Sequence, residues 1–199
     1  MGLMQGGNLL YLNVSCGFLR NKNKNIESRA YTGFFLSLDL DMENKFGDKL
    51  QPRVILKMKD DKTEEVAAIQ FTLKSWYTQT FFAKIGAIDL TKPFTVGTSG
   101  GEDESKVSFC WMYQGGKKIV KDDKAPRPVK NTVGDETVND WTSVIEHVEN
   151  TLININAMDL KTPQPATTAP AQSESKEPPI EDNSTVLTPD DYSEDDLPF

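Results

Sequence analysis

Apolar and polar residues alternate with a period of two through most of the first 113 residues, and this pattern commits the chain to β-structure. Leu10, Leu12, Val14, Cys16 and Phe18 share one face of a strand running from Leu9 to Arg20, with Tyr11, Asn13, Ser15 and Gly17 on the other. A basic polar loop follows at 21–25. A second strand over 29–41 places Phe34, Leu36, Leu38 and Leu40 inward and Tyr31, Gly33, Phe35 and Ser37 outward. Pro52 opens a third, with Val54, Leu56 and Met58 inward and Arg53, Ile55, Lys57 and Lys59 outward. After a turn at 60–62, Ala67, Ile69, Phe71 and Leu73 form the inward face of the return strand.

The alternation breaks at 74–88, where Trp76/Tyr77, Thr80/Phe81 and Lys84/Ile85 fall at helical spacing and predict a short helix. Strands resume at 94–98 and 107–113, and Gln114-Gly115-Gly116-Lys117 reads as a hairpin turn into 118–121. Val138, Trp141, Ile145, Val148, Leu152 and Ile155 then make one stripe of an amphipathic helix near 136–157. The expected fold is all-β with helical decoration, a small barrel or sandwich.

Composition matters most after Leu160. Residues 161–190 are rich in Pro, Ser, Thr, Ala and Glu and cannot bury enough apolar surface to offset about 1–2 kcal/mol of backbone entropy per residue. They are expected to form a disordered linker behind a folded domain at 1–160. In 161–199, Lys161 and Lys176 stand against nine acids, a net charge of −7, so the whole-chain −8 leaves only −1 on 1–160. The last nine residues, 191–199, form an acidic run closed by Leu197, Pro198 and Phe199, suited to docking an aromatic end and a carboxylate in a partner's pocket.

No stretch approaches the ~20 apolar residues of a membrane-spanning helix. Residues 1–7 lack the basic and apolar regions of a secretory signal, and two cysteines make no disulfide framework, so a cytoplasmic protein with reduced thiols is expected. No catalytic constellation stands out. His147 reads as a solvated helix residue and Cys16 as a core thiol. Gly97–Gly101 is followed by acids that repel phosphate, and Asp60-Asp61 and Asp122-Asp123 read as turn chemistry. The expectation is a non-enzyme without a cofactor or metal; a metal-dependent nuclease using Asp39 and Asp41 is the enzymatic rival.

Nucleic acid is suggested by rings and cations together. Tyr11, Tyr31 and Phe35 are read on the outer face near Arg53, Lys57 and Lys59, where bases can stack, although a helix covering Tyr31 and Phe35 is an equal alternative. Arg20, Lys22, Lys24 and Arg29 give 20–29 a local +3. Lys117, Lys118, Lys121, Lys124, Arg127 and Lys130 give 117–130 a local +4. Phe109, Trp111 and Tyr113 share one face of their strand and read mainly as core, with one ring exposed; Trp111 and Tyr113 are the stacking candidates. Trp76, Phe81 and Phe82 read as helix-to-barrel packing, and Trp141 as the anchor of the last helix or part of a dimer seam.

The ending Glu194-Asp195-Asp196-Leu197-Pro198-Phe199, on a Pro/Ser/Thr linker, resembles the acidic tip of bacterial and phage single-stranded DNA-binding proteins, with Leu197 where the family usually has Ile. The resemblance covers the tip closely, the linker in composition and the body only as a compatible strand pattern. It implies a divergent phage-type member in a bacterial host cytoplasm: an OB-fold-like barrel that coats single-stranded DNA. It also implies that the tip recruits replication, recombination and repair proteins. Phe199 and its carboxylate would fill the partner's pocket, Leu197 and Pro198 would pack beside it, and Asp195 and Asp196 would meet basic residues at its rim. A homo-oligomer stays open. The rival is an interaction protein that binds no DNA and uses such a tip to engage or block the replication machinery.

A tail of −7 on a flexible tether can compete with DNA phosphates for the body's cations. Deleting residues 161–199 is therefore expected to tighten oligonucleotide binding at low ionic strength in a fluorescence titration. Unchanged affinity would contradict the competition.

Overall fold

The computed structural model describes residues 9–158 except 22, 47, 64, 101–106 and 135. The chain divides into two units, Met1–Pro163 and Gln164–Phe199. The expected linker and tip lie outside the described residues.

The elements, in chain order, are β1 (Leu10–Ser15), β2 (Phe18–Asn21), β3 (Ile26–Ser28), β4 (Ala30–Asp41), β5 (Lys45–Phe46), β6 (Lys49–Leu50), β7 (Arg53–Asp60), β8 (Val66–Thr72), α1 (Trp76–Ile85), β9 (Phe94–Gly100), β10 (Ser108–Gln114), β11 (Lys117–Lys118), β12 (Val129–Val133), β13 (Glu136–Asp140) and α2 (Thr142–Asn156). Nine strands make one strongly curled sheet in the order β11-β10-β9-β4-β7-β8-β1-β2-β3. Among the described residues, only the β1–β8 pairing of this sheet is parallel. The pairs β5–β6 and β12–β13 stand apart as two-stranded ribbons. This is an all-β, OB-like fold with two helices.

The curl begins in β4, which pairs with β9 through Ala30–Gly33 and with β7 from Gly33 onward. One strand thus serves both halves of the half-barrel. A bulge between Phe35 and Ser37 supplies the bend and added twist, and it reverses the side-chain parity. The expected inward set is corrected there. Phe35 is buried and Leu36 is 38% exposed, while Leu38 beyond the bulge is fully buried as read. Val54, Leu56 and Met58 of β7, and Ala67, Ile69, Phe71 and Leu73, face the core as their alternation predicts.

Residues 9–20 do not form one strand. Cys16 and Gly17 both have positive φ (49° and 75°), the combination a type I′ turn requires, so the segment is the β1–β2 hairpin with Ser15 opposite Phe18. Parity flips across the turn: Leu19 is fully buried and Phe18 points outward, while Cys16 sits in the turn rather than in the core. The turn then meets the far side of the sheet. Gly17 N–H donates to Ser108 Oγ at 2.9 Å, and a Cβ on Gly17 would lie 1.8 Å from Gly100 O.

Helix α1 starts at the Ser75 cap, whose Oγ accepts from Thr78 N–H at 3.2 Å. Its buried Tyr77 and Phe81 rings pack on Phe71, with centroids 4.9 and 5.1 Å away. The helix also seals part of the β10 edge: Thr80 Oγ1 accepts from Cys110 N–H at 2.8 Å, and Lys84 Nζ donates to Cys110 O at 2.9 Å. The last helix is six residues shorter at its start than predicted. Glu136–Asp140 is strand β13, paired with β12, and Val138 is exposed. Asp140 accepts from Thr142 N–H and Oγ1 at 2.9 and 2.7 Å and thereby opens α2, which buries Val144, Val148, Leu152 and Ile155.

Gly17→Ala forces both a left-handed backbone and a clash with Gly100 O. It is expected to cost at least about 2 kcal/mol in urea denaturation. A loss below about 0.5 kcal/mol, the size of an ordinary surface change, would contradict this account of the closure.

Candidate nucleic-acid interface

On β10 the aromatic face is the outer one, which corrects its reading as mainly core. Cys110 and Met112 fill the core, while Phe109 and Tyr113 are 41% and 38% exposed and Trp111 is half-buried. Opposite Trp111 stands Gly97 of β9, where any Cβ would fall 2.2 Å from the indole. The missing side chain lets the indole rest against the β9 backbone. Tyr113 packs edge-on against it at 5.5 Å, and Lys118 stands across from Tyr113 on β11.

The Gly17–Ser108 hydrogen bond continues this surface across the closure. The next residue on each side is an outward phenylalanine, Phe18 and Phe109. The Phe18 ring carries two guanidiniums, Arg20 at 5.0 Å and Arg29 at 4.9 Å, and Arg20 also pairs with Glu27 at 2.9 Å. Beyond it, an open groove of about 540 Å³ runs between β1–β2 and β7–β8, edged by Tyr11, Asn13, Arg20, Arg53 and Thr72. Arg53 donates to Asn13 Oδ1 and Gln70 Oε1, each at 3.1 Å. Both acceptors are neutral, so they fix the guanidinium and leave its charge for a phosphate. Tyr11, at the rim, is 48% exposed.

The other predicted residues divide. Phe35 is in the core and offers no ring outside. Tyr31 is half-buried, and its hydroxyl donates to Glu65 O at 3.2 Å. Burial first, then the charges of Asp60, Glu65 and Asp61, push its pKa up to about 12, and those acids would repel phosphate. Lys57 and Lys59 lie on the outer face of β7, with Lys57 paired to Asp39 at 3.2 Å and Lys59 opposite Phe34. Lys24 is exposed between β2 and β3, and Lys117 is exposed on β11. Lys121 stands apart, beside Phe82 and His147 in a cleft of about 390 Å³ on the helical side, where His147 is half-buried rather than solvated. Lys22 lies outside the described residues.

Phe18, Phe109, Asn13 and Gln70 were not predicted as site residues. The cue for Phe18 was the Cys16-Gly17 turn, which counts the alternation afresh. Phe109 carried the same signal as Trp111, two residues away.

Burial pushes the Cys110 thiol up to about 12, so it is no nucleophile at neutral pH. Asp39 is engaged by Lys57 and by Ser37 Oγ. Among the described residues, no three His, Cys, Asp or Glu side chains converge on a metal position, and no helix is long and apolar enough to cross a membrane. In comparison with known proteins, no family model matches the chain, and no curated protein or solved structure matches it either.

Burial raises Tyr31, Tyr77 and Cys110 alike, so each holds its proton more tightly folded than unfolded. Their contribution is complete below the ordinary thiol value of 9.0 and is lost as pH rises toward the folded values. Lys84 is pushed down by burial and works the opposite way, one group against three. The urea midpoint is therefore expected to fall from about pH 9 to about pH 11, and a flat profile would contradict it.

Proposed function

We propose that this chain is a single-stranded DNA-binding protein of phage type. It coats single strands without strong sequence preference and recruits replication, recombination and repair proteins through its acidic tip. One observation carries the reading: outward rings and cations run together over the curled sheet, from Tyr113 and Trp111 to Phe18 with its two arginines and on to Tyr11 and Arg53. Rings stack on any base, and fixed cations meet any phosphate, which is the chemistry of coating rather than of sequence reading. The body's near-zero net charge sharpens the point, because its cations are clustered rather than abundant. The choice of DNA over RNA, and the tip's role, rest on the resemblance of residues 194–199 to the tip of that family.

The test is anisotropy of a labelled oligothymidine against the full chain across a salt series. Trp111→Ala is expected to weaken binding by about 1–3 kcal/mol. Arg53→Ala is expected to reduce the salt slope by about one. No saturable binding by the full chain or by residues 1–160 would overturn the reading, and would leave the interaction protein that uses its tip alone.

A further inference from the structure

A second groove, of about 370 Å³, adjoins the first and shares Val14, Ser15, Phe71 and Thr72 with it. Its wall carries Trp76 and Trp141, edge-to-face with centroids 5.6 Å apart and both half-buried. Trp141 also packs against the core and meets Trp76 where α1 and α2 begin, as its reading as an anchor of the last helix expects, yet both indoles keep part of their surface on the groove. The fully buried part of the helix packing comes from Tyr77, Phe81, Val144 and Val148. Two tryptophans kept partly in solvent beside a groove are a large apolar expense unless something flat covers them. Lys74 is exposed in the same lining, and Ser15 and Ser108 give the groove a polar side.

We propose that a single strand bound on the outer face continues into this second groove. There a base stacks on the Trp76–Trp141 pair, and Lys74 meets the adjoining phosphate. The inference rests on the single-strand reading above and extends it with a path and a second stacking station. Continuity of the two grooves favours nucleic acid as the occupant over a peptide, because a strand held by Arg53 is already at the shared residues Ser15 and Thr72.

The test uses the full chain with two oligothymidines, about four and about twelve nucleotides long, spanning the site sizes of single OB-folds. Each carries one terminal 5-bromouracil for photo-crosslinking. With the longer oligomer, crosslinks are expected on peptides containing Trp76 or Trp141. Trp76→Leu, which keeps apolar volume but removes the ring, is expected to weaken the longer oligomer about tenfold and to leave the shorter one unchanged. Lys74→Glu, at an exposed position, is expected to act in the same direction and keeps the test valid if the tryptophan variant melts early. If both oligomers bind, crosslink only to β1, β2, β7 or β10, and ignore both substitutions, the second station is wrong and the single-strand reading stands. If neither oligomer binds, the reading itself fails and takes the inference with it.

Discussion

The hydrogen bond from Gly17 N–H to Ser108 Oγ joins two parts of the sheet that are 91 residues apart in the chain, and the candidate interface depends on it. Gly17 supplies a backbone that accepts a left-handed turn, and it has no Cβ to strike Gly100 O. The hairpin β1–β2 can therefore press against β9 and β10. Without this contact, Phe18 and Phe109 would sit on separated parts of a curled sheet. With it, the rings of β10 and the cationic groove of β1, β2, β7 and β8 belong to one outer surface.

The sequence was most readable where outward positions are mostly charged. In 53–59, Arg53, Lys57 and Lys59 mark the outward face against Val54, Leu56 and Met58, with Ile55 the one apolar outward residue, and the return strand at 67–73 is nearly as plain. Parity was lost where a residue is inserted without a polar marker. Phe34-Phe35-Leu36 is apolar in either phase, so only the bulge decides that Phe35 turns in and Leu36 out. Val138 sits three residues before Trp141 and mimics a helical stripe, although Glu136–Asp140 is a β-strand. Neither error reflects weak propensity: the bulge is set by pairing with β7, and β13 by a tight hairpin with β12 in which Gly134 takes a positive φ of 64°.

The interface shows the same division. Tyr11, Arg20, Arg29 and Arg53 were legible because polar surroundings or basic loops singled them out. Phe18 was hidden by counting through a turn. The outward placement of Phe109, Trp111 and Tyr113 was hidden because Cys110 and Met112, between them, are apolar enough for either face to be the core. Lys121 belonged to a basic run by sequence, but the backbone after β11 carries it to the helical side, where Asp122 N–H donates to Ala83 O at 2.6 Å. Charge runs along a chain therefore overstate charge clusters in space.

The proposed function has a positional consequence: single-stranded nucleic acid is proposed to lie across the closure, over Phe109, Trp111, Phe18 and Arg53. Amide chemical-shift mapping of the full chain with an unstructured oligothymidine tests this most directly. The largest shifts are expected in β10, at the β1–β2 turn and at the Arg53 end of β7, with little change around His147 on the helical side. Shifts confined to α1 and α2, or none at all at saturating oligonucleotide, would contradict it.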